Sequence, residues 1–161
     1  MKYWIGLALG CIVALMAAWA FMPPDILAFT SLPANGQAAH GRRVAIQVDQ
    51  NDKAVMDLTL NNANNVAEYY QSKGEAVEIE IVTFGPGLHM LRADTSPVKE
   101  RIAAMSLQHA NIKFAACGNT RANMSRAEGK PIELVSEAQV TPSGVVRLME
   151  LQREGYAYIR P

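Results

Sequence analysis

The sequence predicts an α/β domain, a three-layer α/β/α fold on a mostly parallel sheet of about five strands. Three observations carry this. Short apolar runs alternate with amphipathic stretches from Val44 to Ile159. Their spacing leaves room for a helix between successive strands, the βαβ arrangement of parallel sheets. Clusters of glycine, proline, asparagine and aspartate punctuate the pattern where elements should end.

Val44-Ala45-Ile46-Gln47-Val48 reads as a buried strand ended by Asp49, Gln50, Asn51 and Asp52. Met56, Leu60, Ala63, Ala67 and Tyr70 then recur at helical spacing, with Asp57, Asn61, Asn64, Glu68 and Gln71 facing elsewhere. That is an amphipathic helix stopped near Gly74. Val77, Ile79 and Ile81 alternate with Glu78 and Glu80 and run into Val82-Thr83-Phe84 before Gly85-Pro86-Gly87. The alternation predicts a strand with one wetter face, as near a sheet edge.

Ser96-Pro97 predicts a second helix, with serine as cap and proline at its first position, and with Val98, Ile102 and Met105 as core stripe. Ile112 to Cys117 is the next buried strand, and a short helix follows from about Thr120 to Glu128, ended by Gly129-Lys130-Pro131. Ile132-Glu133-Leu134-Val135 reads as a fourth strand. Thr141-Pro142 repeats the cap-plus-proline signal, with Val145, Leu148, Met149 and Leu151 opposing Arg147, Glu150 and Glu154. Gly155 stops that helix, and Tyr156 to Ile159 makes a closing strand.

Ahead of this domain, Met1-Lys2 precedes an apolar run from Tyr3 to Met22. Residues 1–22 have the layout of a signal peptide, with Ala18-Trp19-Ala20 as cleavage pattern, or of an uncleaved N-terminal membrane anchor. Lys2 is the only cation before Arg42, which orients the rest of the chain across the membrane. The expected location is periplasmic, with any membrane attachment only through residues 3–22. Residues 23–41 read as a linker and 42–161 as the folded domain, a size that can bury one core. The 15 basic and 15 acidic residues cancel, and no basic run appears. Binding to nucleic acid through counterion release needs clustered Lys and Arg, so that class is excluded.

Ligands of open parallel sheets gather at the carboxyl ends of the strands. Four segments fall there: Asp49 to Asp52, Phe84 to Gly87, Cys117 to Thr120, and Glu137 to Thr141. Cys117 ends a strand and stands before a helix, whose positive N-terminus favours thiolate. Cys11 lies in the leader, so Cys117 is the lone thiol of the domain. An unpaired cysteine outside the cytoplasm is a partner in an intermolecular bond, a reactive thiol or a small buried hydrophobe. Phe84-Gly85-Pro86-Gly87 with Gly118-Asn119-Thr120 forms a candidate ligand edge, although such a glycine triplet is more often a plain turn and lacks phosphate-loop spacing. Asp49 and Asp52 read first as helix caps, and Arg92 and Arg121 as cations able to offset them near the thiol. His40, His89 and His109 show no metal spacing, so no metal and no cofactor is expected. Asn61, Asn62, Asn64 and Asn65 on one helix suit either a subunit interface or a solvated face.

Phe114-Ala115-Ala116-Cys117-Gly118-Asn119-Thr120 resembles the cysteine motif of the DsrE/DsrF-like family. Val82-Thr83-Phe84-Gly85-Pro86-Gly87-Leu88 resembles the turn of its exported members, and Gly144 to Pro161 their C-terminal block. The resemblance spans nearly all of Arg43 to Pro161. It implies a three-layer fold, a homo-oligomer (trimer or hexamer), and a cysteine that carries sulfur as persulfide between a donor and an acceptor protein. Only Cys117 carries over as a functional residue. The leader departs from the cytoplasmic relay branch, whose partners would lie across the membrane. Beside the carrier stand two other expectations, a non-catalytic small-ligand module and a structural oligomer with a buried cysteine.

Overall fold

A computed structural model describes residues 42–161. The expected leader, residues 1–22, and linker, residues 23–41, lie outside the described residues. In chain order the elements are β1 (Arg42–Val48), α1 (Lys53–Ser72), β2 (Val77–Thr83), a 3-10 helix (Gly85–Leu91), α2 (Lys99–Gln108), β3 (Ile112–Cys117), α3 (Gly118–Glu128), β4 (Ala138–Thr141), α4 (Gly144–Arg153) and β5 (Ala157–Ile159). All five strands are parallel, in the order β4-β3-β2-β1-β5. The three-layer α/β/α fold is as the sequence predicts.

The two faces are covered unequally. Val44, Ile46 and Val48 of β1 share one face with Ile79 and Ile81 of β2 and Phe114 of β3. Met56, Leu60, Ala63 and Ala67 of α1 pack on it, joined by Leu88, Leu91, Ile102 and Met105. Burying a side chain such as Leu60, which is fully buried, is worth about 1.5–3 kcal/mol. The other face presents Ala45, Val82 and Ala115 to Leu148 and Leu151 of α4. The chain must pass from β4 at one edge to β5 at the other, and α4 is carried over this second face on the way.

Several expectations are corrected. Ile132 to Val135 is not a strand; β4 lies further on, at Ala138–Thr141. The apolar run instead buries Ile132 and straps onto the 3-10 helix, with Ala93 N–H donating to Glu133 O and Val135 N–H to Leu91 O, both at 2.9 Å. β2 is the central strand rather than an edge. Its wetter face is dry at Glu80, which is buried against Arg147. Ser96-Pro97 precedes α2 as a turn: Ser96 Oγ accepts Val98 N–H at 3.3 Å, and the helix begins at Lys99. Thr141 belongs to β4, and the N-cap of α4 is Ser143. On α4 the buried stripe is Gly144, Leu148 and Leu151, whereas Val145 and Met149 are exposed.

Candidate functional site

β3 runs straight into α3 with no loop between them. Cys117 is both the last strand residue and the N-cap of the helix, with φ −67° and ψ 113°. Gly118 suits this tight junction, because a Cβ there would stand 3.1 Å from Thr141 O and 3.3 Å from Val140 Cγ1. The first N–H groups of any helix lack partners within it. Here the Cys117 sulfur accepts one of them, Thr120 N–H, at 3.4 Å. Asn119 N–H is tied to Pro142 O at 3.2 Å, which fastens the start of α3 to the approach of α4.

A second helix start closes on the same sulfur. Gly144 is the first residue of α4, and a Cβ on it would meet Phe84 Cβ at 3.0 Å and Cys117 Cβ at 3.3 Å. A glycine fits this approach without displacing either neighbour. Cys117 is 4% exposed, and that burial pushes the thiol pKa up. Against it act the Thr120 hydroxyl and the backbone N–H groups of Gly144, Thr120 and Asn119. The donors win, and the thiol is held below its ordinary value. These stabilisers are neutral, so the sulfur is held by oriented dipoles rather than by a cation.

The candidate ligand edge sits beside this thiol. Phe84 caps the 3-10 helix and packs on the α4 core, and Gly85 takes a left-handed φ of 51°. From there Gly85 N–H donates to Thr120 Oγ1 at 3.0 Å, joining the two candidate segments. Pro86 and Asn119 are exposed. Gly87 makes a close backbone approach to Val48 of the same chain, where a Cβ would stand 2.2 Å from the carbonyl oxygen.

The other singled-out residues are engaged elsewhere. Asp52 caps α1 by accepting Ala54 N–H at 2.7 Å, and Asp49 pairs with Arg160 at 3.0 Å. Arg92 does not face the thiol: it is buried between Asp94 and Glu128, at 2.8 and 2.5 Å. Arg121 Nε donates to Ile132 O at 2.7 Å. Asn61 and Asn64 bind α1 to α2 within the chain, Asn61 accepting from Arg101 at 2.8 Å and Asn64 Oδ1 meeting His109 Nε2 at 3.0 Å. Among the described residues, no group of three His, Cys, Asp or Glu side chains could hold a metal ion. Two features were missed in the sequence. The Arg92 cluster had no signal, since Glu128 is 36 residues away. Gly144 had one, a glycine directly after Pro142-Ser143 at a helix start.

The model of the DsrE/DsrF-like family matches residues 42–161. The chain belongs to the DsrE/DsrF-like family. That match covers all the described elements, from β1 to β5. The DsrE/DsrF-like domain is also similar to a solved structure of a protein of unknown function, MTH1491 from Methanobacterium thermoautotrophicum. The TM-score is 0.63 at 31% identity, covering 74% of this chain and 99% of that chain. A comparison with curated proteins found no match.

Proposed function

We propose that this DsrE/DsrF-like protein is a sulfur-handling carrier whose Cys117 accepts sulfane sulfur and passes it on as persulfide. The observation that carries this is the donor set around the sulfur: a thiol held below its ordinary pKa at the carboxyl edge of the sheet, in a family related to sulfur relay. Thiolate is the attacking species in such exchange. Its sulfur attacks the outer sulfur of a donor persulfide, R–S–SH. A bond forms between Cys117 Sγ and that sulfur, the donor S–S bond breaks, and R–S⁻ leaves. The product is Cys117–S–SH, the proton staying on the transferred sulfur, with no net oxidation. An acceptor thiolate reverses these steps.

The near-complete burial of Cys117 favours a second reading, a structural oligomeric module. Iodoacetamide alkylation of the full chain, read at the Cys117 peptide, separates the two. The carrier reading expects faster reaction at neutral pH in the folded than in the unfolded chain; slower reaction favours the structural reading.

The carrier is further proposed to be a homo-oligomer, trimer or hexamer. Exposed Val140, Val145, Val146 and Met149, and a second sheet face served by one helix, support this. Light scattering that gives a monomer at high micromolar concentration would refute it. Export to the periplasm rests on Lys2 and the run to Met22. A reporter active only in the cytoplasm, fused after Pro161, should stay silent.

A further inference from the structure

The buried serine and threonine hydroxyls among the described residues behave alike, and the half-buried Thr120 departs from them. Thr59 donates to Val55 O at 2.8 Å, Thr83 to Ala115 O at 3.2 Å and Ser96 to Met90 O at 2.5 Å. Each spends its proton on a backbone carbonyl. A threonine in the first turns of a helix ordinarily does the same, to a carbonyl three or four residues back. Thr120 instead accepts, taking Gly85 N–H at 3.0 Å. A hydroxyl has one proton and two lone pairs, so that bond occupies a lone pair and leaves the proton to be donated. The same residue's backbone N–H already donates to Cys117 Sγ at 3.4 Å, which places the Thr120 backbone at the sulfur. Gly85 holds its N–H in place through a backbone with φ 51°, a conformation that other residues rarely adopt.

We propose that Thr120 is the positioning residue of this site: its hydroxyl, anchored by Gly85 N–H, donates to Cys117 Sγ and sets the sulfur's readiness to accept a second sulfur atom. The same hydroxyl is the strongest of the influences that lower the Cys117 pKa. The chemistry rests on the carrier reading.

A donor to the thiolate has two opposed effects. It raises the thiolate fraction near neutral pH and lowers the intrinsic nucleophilicity of each thiolate. Removing it therefore gives a pH–rate profile that crosses the wild-type one, which loss of packing alone does not produce.

The experiment is the pH–rate profile of iodoacetamide alkylation at the Cys117 peptide of the full chain, for wild type, Thr120→Val, Thr120→Ala and Thr120→Ser. Thr120→Val and Thr120→Ala should move the midpoint up by about half a pH unit or more. They should react several-fold more slowly near neutral pH and at least as fast in strong base, while Thr120→Ser keeps the wild-type profile. Should the valine variant not fold, the alanine and serine pair carries the comparison. An unshifted midpoint in a folded Thr120→Val or Thr120→Ala overturns the role, and so does a Thr120→Ser shifted as far as they are. Sulfur loading of wild type by a polysulfide, read by mass, is scored separately. A missing adduct with the shift intact removes the carrier reading alone; an adduct with no shift removes the role of Thr120 alone.

Discussion

Arg147 grips Glu80 with two hydrogen bonds of 2.7 Å each, Nε to one carboxylate oxygen and Nη2 to the other. Glu80 is buried on the second face of the sheet, and Arg147 lies three residues after Gly144 on α4. The pair therefore fixes the first turn of α4 over the sheet, and with it the N–H of Gly144 over Cys117. An ion pair far from the sulfur in sequence thus holds one of the N–H groups that favour its thiolate.

Arg147→Met leaves the Glu80 carboxylate buried without a partner. Breaking a buried pair costs about 3–5 kcal/mol; with the Arg147 side chain 26% exposed, about 2–4 kcal/mol is expected here. Pairing the change with Glu80→Leu should recover most of that loss, because no charge is then stranded. Urea unfolding of the single and double variants measures both numbers.

Gly144→Ala tests the second helix start. The added Cβ would stand 3.0 Å from Phe84 Cβ, just past the end of β2, and 3.3 Å from Cys117 Cβ, at the end of β3, so the backbones must part by a few tenths of an ångström. The start of α4 must swing out, at about 1–3 kcal/mol, and its N–H leaves the sulfur. Thermal unfolding should show a modest loss, and the alkylation midpoint of Cys117 should rise.

Elements with strong apolar periodicity were legible from sequence, and the reason is burial. Met56, Leu60, Ala63 and Ala67 are buried because α1 lies on the sheet through one stripe. The run Ile112 to Cys117 holds one exposed residue because parallel strands are covered on both faces. Apolar content reports burial, not hydrogen bonding. Ile132 to Val135 thus looks like a strand, whereas β4, at an edge with none of its residues buried, carries no pattern. The candidate site was half legible. Cys117 at a strand-to-helix junction follows from the local sequence. The Gly144 N–H follows only from the crossover that brings α4 back across the sheet, and the Gly85–Thr120 bond spans 35 residues.

The lowered Cys117 pKa links stability to pH with a definite sign. The unfolded thiol holds its proton to higher pH than the folded one, so stability rises with pH between the two pKa values. The gain is fully present above the ordinary cysteine value of about 8.5 and is lost as pH falls through the folded value. Urea midpoints of wild type and Cys117→Ser, compared across this window, should diverge in favour of wild type as pH rises. A constant difference would mean that the thiolate gains nothing from the folded site.

The carrier role itself is decided by intact mass. The purified full chain is exposed to polysulfide at neutral pH, desalted and weighed beside Cys117→Ser, and the adduct is located by peptide mass. Wild type should gain the mass of one sulfur atom on Cys117 and lose it to an added thiol, with no gain there in Cys117→Ser. A folded wild-type chain that gains no sulfur on Cys117, while its unfolded form does, would show the thiol to be a buried structural residue.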